Sequence, residues 1–423
     1  MVVPICITIL DPAGPSRSTC GYCSEPGQRS AKKTSFSTGS FVSQLSCPVY
    51  MDMLDRGWRR SGEYLYKPNM KKTCCPQYTI RLDALTFGPS KSLRKLLGRW
   101  NRYVLLGESS GAQSAKQKGD SAPASFVDAL HASEATFLKP GTSSKYRFEV
   151  TLEESTFTEE KYSLYHAYQR RVHKDERDTP SSFTRFLVDS PLVRQPIEYP
   201  SLPPPHLPKN YGSYHQMYRL DGELIAIGFI DILPACVSSV YFVYGEKWEW
   251  ASFGKLSAMR EVSLAREIHE AGVEEMKYLY MGFYIYSCPK MRYKGEYSPS
   301  FLLDPESYLW HPLEAWKPLL ETHRYASISF PERSMGAITN GEADDSSSED
   351  EDDHTYPLDL ALKTLPESLW DEVMIVSSAS NGQVYVTPAS RWTHWKHEGY
   401  QTKVVSMVEA LGVELAKAII LNP

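Results

Sequence analysis

The residues best suited to chemistry in this 423-residue sequence are its thiols. Eight cysteines stand at positions 6, 20, 23, 47, 74, 75, 236 and 288, and five of them fall between residues 20 and 75. Cys20 and Cys23 form a C-x2-C pair, whose tight turn lets both sulfurs face one centre. Cys74 and Cys75 add two more thiols, enough for a four-thiolate site of zinc or an iron-sulfur cluster. Successive side chains diverge in an extended chain, so Pro76 must help turn the backbone if both are to reach. The competing reading is separate buried thiols, and a disulfide framework is improbable in a chain of this size that carries no secretory leader. Cys6 and Cys47 are spare candidates, whereas Cys236 and Cys288 read as small core residues.

Three further groups stand out. Tyr165, Gln169 and His173 lie four residues apart on a predicted helix over residues 158–173, so one stripe carries a phenol, an amide and an imidazole. Asp231 falls within ELIAIGFIDIL, where the apolar alternation calls for a hydrocarbon. A buried carboxylate must meet a cation, a donor or a ligand, and Arg260 is the structural alternative to a ligand. Lys290, Arg292 and Lys294 alternate with Met291 and Tyr293. An extended segment would present all three cations on one side to a phosphate or carboxylate, and a solvated edge strand would show the same pattern. Gly107–Gly111 matches the G-x-S-x-G nucleophile elbow, but AQSAKQKGDSAPAS follows where a helix is required. There is no G-x-x-x-x-G-K phosphate loop and no G-x-G-x-x-G, which disfavours nucleotide hydrolysis and excludes a nicotinamide cofactor from the reading.

The elements that must hold these groups follow from period and punctuation. YTIRLDAL reads as a strand and SKSLRKLLGRWNRYVLL as a basic helix. KYRFEVTLEES reads as a strand before the 158–173 helix, and prolines dominate residues 196–208. HQMYRL and ELIAIGFIDIL flank Asp221-Gly222, a strong hairpin signal. SSVYFVY, a helix over 253–271 and YLYMGFYIY follow, then a strand QVYVTP and an amphipathic helix carrying Val404, Val408, Leu411 and Leu415. The order predicts an α+β class with a mixed sheet packed by helices.

The sequence is 42% hydrophobic, which excludes disorder throughout, and no apolar run is long enough for a membrane span. The formal net charge of −5 hides an asymmetry. Residues 342–353 hold eight carboxylates, and without them 51 − 8 = 43 acids face 46 Lys and Arg, a net of +3. The remainder therefore tolerates an anionic partner. Predicted boundaries are a cysteine-rich metal-binding segment at 1–106, a low-complexity linker or insertion at 107–136, a sheet domain at 137–335, an acidic loop at 336–355, and a C-terminal strand and helix at 356–423 that complete the sheet domain. No export or retention signal is present, so the expected compartment is the cytosol, with the nucleus as a second.

With STCGYC ending at Cys23, RGWRRSGEYLYKP at 56–68, CCPQYTIR at 74–81, and then YQRRVHKD, FLVDSPL, SYHQMYRLDGELIAIGFIDILP, SSVYFVY, LSAMREV and YLYMGFYIYSCPKMRYKGEYSPS, the chain resembles the eukaryotic arginyl-tRNA protein transferases. These blocks span both the cysteine segment and the sheet domain. The opening residues MVVPICITILDPAGPSR, the region after Gly107 and the acidic loop depart from the family and interrupt no motif.

The resemblance implies a metal-binding domain followed by a GNAT-like acyltransferase domain. It implies transfer of arginine from arginyl-tRNA to the α-amino group of N-terminal Asp or Glu, and of oxidised Cys, marking proteins for ubiquitin-dependent degradation through an N-degron pathway. It carries the metal, zinc or an iron-sulfur cluster, onto Cys20, Cys23, Cys74 and Cys75. The coenzyme A pyrophosphate turn of acetyltransferases has no good copy here, so no coenzyme A is expected. On this reading Asp231 receives the incoming guanidinium, Tyr165, Gln169 and Gln216 orient the reacting groups, and His173, Lys290, Arg292 and Lys294 receive the acidic acceptor. Arg56, Arg59, Arg60, Lys91, Arg94 and Lys95 are expected on tRNA phosphates. Two rivals are a non-catalytic module that binds acidic N termini and an N-acetyltransferase.

Overall fold

The computed structural model describes residues 6–25, 28–107, 125–337, 356–380 and 383–423. The acidic block, most of the low-complexity region and the G-x-S-x-G match beyond Gly107 lie outside the described residues.

The strands used below are β1 (Ile9–Ser18), β2 (Ser35–Ser46), β3 (Arg59–Ser61), β4 (Tyr64–Pro68), β5 (Tyr78–Asp83), β6 (Phe148–Glu154), β7 (Asn210–Leu220), β8 (Glu223–Leu233), β9 (Cys236–Tyr244), β10 (Tyr278–Tyr284), β11 (Ser300–Leu303), β12 (Trp310–Pro312), β13 (Met374–Ser380), β14 (Gln383–Pro388) and β15 (Ile420–Leu421). The main helices are α1 (Lys91–Leu106), α2 (Phe126–His131), α3 (Glu159–Tyr168), α4 (Phe253–Glu270) and α5 (Glu398–Leu411). Two mixed sheets result. One runs β12-β11-β5-β10-β9-β8-β7-β6, and the other runs β14-β13-β15-β1-β2-β4-β3. No helix among the described residues is long and apolar enough to cross a membrane.

The β7–β8 hairpin turns on Asp221 (φ 50°) and Gly222 (φ 85°), the two left-handed positions that a tight turn matched to strand twist demands. α4 crosses from β9 to the parallel strand β10, burying Leu256, Met259, Val262 and Ile268 as its period requires. α3 ends at Tyr168, and a wider π turn carries the chain from Gln169 to His173.

The sheets cut across the boundaries expected from sequence. β5 lies in the N-terminal cysteine segment, yet it sits between β10 and β11 in the larger sheet. Residues 356–423 do not complete that sheet. β13, β14 and β15 join β1 and β2, and Val404, Val408 and Leu411 of α5 pack with Leu10, Leu45 and Trp58. Residues 125–136, assigned to the low-complexity region, include α2. Ser125 and Asp128 form a reciprocal capping box, Leu130 is buried, and His131 bonds Glu267 of α4 at 3.1 Å. These local signals outweigh the surrounding polar composition.

Candidate functional site

Parallel strands β9 and β10 pair only at Cys236–Ser238 with Tyr278–Tyr280. Beyond that point they separate, each still held by its outer neighbour: β9 by β8 as far as Tyr244, β10 by β5 as far as Tyr284. A wedge therefore opens at the carboxyl ends of two adjacent parallel strands, the position where open α/β sheets bind ligands.

Titratable groups border this wedge. Glu261 of α4 is buried; its carboxylate accepts from Ser257 Oγ at 2.8 Å and from Ser239, the first β9 residue past the pairing. Burial pushes Glu261 up to about 7, and among the described residues no cation sits against it. Lys294 Nζ donates to the Phe283 carbonyl at 2.8 Å. Burial, followed by the nearby Arg59 charge, brings Lys294 down to about 7. Arg59 donates to the Gly282 carbonyl at 3.1 Å and lies 5.1 Å from the Phe283 ring centroid.

At Tyr241 on the opposite lip, the groups of the predicted stripe gather. Gln169 Nε2 donates to the Tyr241 hydroxyl at 3.0 Å, the same hydroxyl lies 3.0 Å from His173 Nε2, and Tyr165 packs close by. Burial and then the charge of Lys290 hold His173 below its usual value. Gln216 is not with them. It faces α4 across the sheet, accepting from Tyr218 at 2.6 Å, because even-numbered residues of β7 point to that side while Met217 packs with Tyr165.

The other expectations divide. Asp231 is fully buried, and Arg60 grips it at 2.6 and 2.8 Å while Ser213 donates at 2.7 Å. Both of its oxygens are engaged, so the carboxylate expected to take a guanidinium holds Arg60 instead, and Arg260 pairs elsewhere, with Glu134 at 2.6 Å. Arg59 and Arg60 are buried and cannot face phosphate, whereas Arg56 is half-buried and Lys91, Arg94 and Lys95 are exposed on α1. Lys290, Arg292 and Lys294 do not form a row. Pro289 starts a helical turn over Pro289–Arg292 and a 3₁₀ turn follows, so Arg292 projects toward Tyr286 while Lys294 turns inward.

The thiols converge as expected. Sγ atoms of Cys20, Cys23, Cys74 and Cys75 lie within 4.8 Å of one another, with Cys23 and Cys74 3.8 Å apart. A tetrahedral ion with sulfur bonds of about 2.3 Å needs sulfur separations of about 3.8 Å, so the four donors fit a metal. Hydrogen bonding, first from Cys75, pulls Cys74 down to about 5, the thiolate form that a metal requires. Cys20 and Cys75 pack on Ile285 and Cys288, which anchors the centre just past the end of β10.

Comparisons with known proteins place the chain in a family. Residues 18–95 match the family described as arginine-tRNA-protein transferase, N terminus, and residues 160–304 match its C terminus. The arginyl-tRNA–protein transferase 1 of Drosophila melanogaster is 30% identical over 430 residues, covering 76% of this chain and 86% of the relative. This chain belongs to the arginyl-tRNA–protein transferase family. It is accordingly an aminoacyltransferase. Arginyl-tRNA–protein transferase 2 of Arabidopsis thaliana is 30% identical, covering 76% of this chain and 78% of the relative. The aspartate/glutamate leucyltransferase of Pseudomonas fluorescens is 27% identical over 261 residues, covering 60% of this chain and 80% of the relative.

Sequence reasoning missed Glu261. In the sequence it looks like any helical glutamate between Arg260 and Val262; only the burial of α4 around most of its circumference marks it out.

Proposed function

We propose that this chain transfers arginine from arginyl-tRNA to the α-amino group of proteins beginning with Asp, Glu or oxidised Cys, and thereby marks them for ubiquitin-dependent degradation. The observation that carries this reading is the wedge between β9 and β10 in a chain related both to arginyltransferases and to a bacterial aspartate/glutamate leucyltransferase. Those relatives carry names that differ in the amino acid donated, and the bacterial name specifies acidic acceptors. The wedge with its α4 crossover supports a GNAT-like transferase domain centred on 137–335, with the cysteine segment 1–106 as the metal-binding domain.

The ester of an aminoacyl-tRNA is already activated. Transfer therefore needs an amine held against the carbonyl, removal of one proton and a stabilised oxyanion. The amine nitrogen bonds to the carbonyl carbon, the ester C–O bond breaks, and the departing ribose hydroxyl takes up the proton the amine loses. Lys294, near neutrality at pH 7, relays that proton. Glu261, a buried carboxylate lacking a cation, receives the guanidinium in the role first read onto Asp231. His173 and Lys290 attract the acidic acceptor, and Gln169 holds Tyr241 in place beside them. Exposed cations of α1 and Arg56 engage RNA phosphates. The spacing of the four sulfurs supports zinc over a cluster, because a cluster inserts several irons and sulfides between its thiolates and spreads them.

The test is labelled arginine incubated with arginyl-tRNA synthetase, tRNA, this protein and a peptide beginning with Asp, under reducing and oxygen-free conditions. Labelled peptide is expected. Peptide binding without label would point to a binding module, and acetylation from acetyl coenzyme A without arginylation would point to the other rival; either result overturns the proposal.

A further inference from the structure

Away from the wedge, a cavity of about 600 Å³ lies where β4, the start of β5, the loop after β11 and α5 meet. None of Lys294, Glu261, Tyr241 or His173 lines it. Its walls carry Arg17, Arg56, Lys67 and Lys72, and among the described residues none of these four is paired with a carboxylate. Lys71, also on the wall, is neutralised by Glu306 at 2.6 Å. Lys67 is held in place: Nζ donates to the Tyr308 hydroxyl and to the Ala410 carbonyl, each at 2.8 Å, and lies 4.7 Å from the Tyr308 ring centroid.

Two features favour a ligand here. Thr79 is 2% exposed, lines the cavity, and its hydroxyl has no hydrogen-bond partner. An orphaned buried hydroxyl costs free energy that a ligand would recover. Tyr308 adopts φ 57°, a left-handed conformation that a bulky residue takes only under constraint. The constraint is Asp304, whose carboxylate accepts from Ser327 and from the backbone N–H groups of Glu306, Ser307, Ile328 and Ser329. That knot fixes the aromatic wall.

The four cations outnumber Glu409, the wall's carboxylate without a cation among the described residues, so the balance favours an anion, and a cavity this size with flat tyrosine walls suits a planar ring attached to it. We propose that this cavity binds a nucleotide, its phosphate seated among Arg17, Arg56, Lys67 and Lys72 and its base against Tyr308 and Tyr356. Thr79 meets a ribose or phosphate oxygen. The nucleotide can come from an unpaired position of a bound RNA or from the free pool. The proposal does not depend on arginyl transfer, because the test uses neither arginine nor peptide.

The full-length protein is titrated calorimetrically with AMP, inorganic pyrophosphate and the tetranucleotide ACCA, beside an Arg17→Ala/Lys72→Ala double variant. Both substituted residues are exposed, so the fold should persist. The expected result is AMP binding that weakens by about tenfold or more in the variant, and by much less in a Lys91→Ala/Arg94→Ala control. Competition of ACCA with AMP, or ACCA binding alone that the double variant loses, supports the site with RNA as its source. AMP binding indifferent to ACCA supports it with free nucleotide as the source. Pyrophosphate binding as tightly as AMP, AMP affinity unchanged in the double variant, or no binding of either nucleotide probe would overturn it.

Discussion

Substitution of Asp231 by Ala should damage folding first and chemistry only second. Its carboxylate is fully buried, Arg60 is 5% exposed at the side chain, and their closest contact is 2.6 Å. Removing one partner of a buried, hydrogen-bonded ion pair leaves the other charge stranded, at a cost of roughly 3–5 kcal/mol. Ser213 loses its acceptor in the same step. A double variant, Arg60→Met with Asp231→Leu, removes both charges and fills the space. It should recover most of that loss, since well-packed apolar replacements of buried pairs are often neutral. Urea unfolding followed by tryptophan fluorescence reads both quantities, and the single and double variants together with Arg60→Met close a thermodynamic cycle. If Asp231→Ala stays within about 1 kcal/mol of the parent while arginine transfer disappears, the Arg60–Asp231 pair does not hold the fold and the carboxylate belongs to the donor after all.

Four other outcomes are expected. Glu261→Gln should raise KM for arginyl-tRNA. It should also alter pH dependence: the parent binds a proton at Glu261 more tightly when folded, so relative to the variant it loses about 3 kcal/mol as pH rises from 4.5 to about 7; parallel denaturation curves across that range would refute the burial argument. Transfer should accelerate as pH rises through about 7, where Lys294 becomes neutral, and a Lys294→Gln variant should lose that inflection in a pH–rate profile. Cys74→Ala should abolish stoichiometric metal binding, read by elemental analysis for zinc and iron, and expose the 69–77 segment to proteolysis; undiminished metal would remove Cys74 from the centre. Charge reversal of Lys91, Arg94 and Lys95 together should flatten the slope of log K against log salt for tRNA by about 2 to 3, and an unchanged slope would clear α1 of RNA contact.

What could be read directly from the sequence was local. Asp221-Gly222 fixes its hairpin because only a left-handed pair closes so short a turn. The stripe on α4 and the C-x2-C pair likewise carry their own geometry. The failures came from long-range partners and from punctuation. Nothing in the surroundings of Asp231 points to Arg60, 171 positions away, as its counter-ion. An alternating row at 290–294 looks extended until Pro289 is recognised as a helix opener. β1 carries Pro12 and Pro15, which argue against a strand, yet β15 covers it only at Ile9 and Leu10; beyond them one side is an edge, where a missing N–H does no harm. Glu261 was passed over because a glutamate in a helix looks ordinary until most of that helix proves to be packed.

The insertion of β15 between β1 and β13 has a consequence for biosynthesis. Asp11 and Asn422, hydrogen bonded across this junction, are 411 positions apart. A ribosome delivers β1 early and β15 late, so the smaller sheet must wait with an open seam through most of translation, its unsatisfied strand margin exposed to stray pairing. A product truncated ahead of Ile420 should leave that seam open and misassemble.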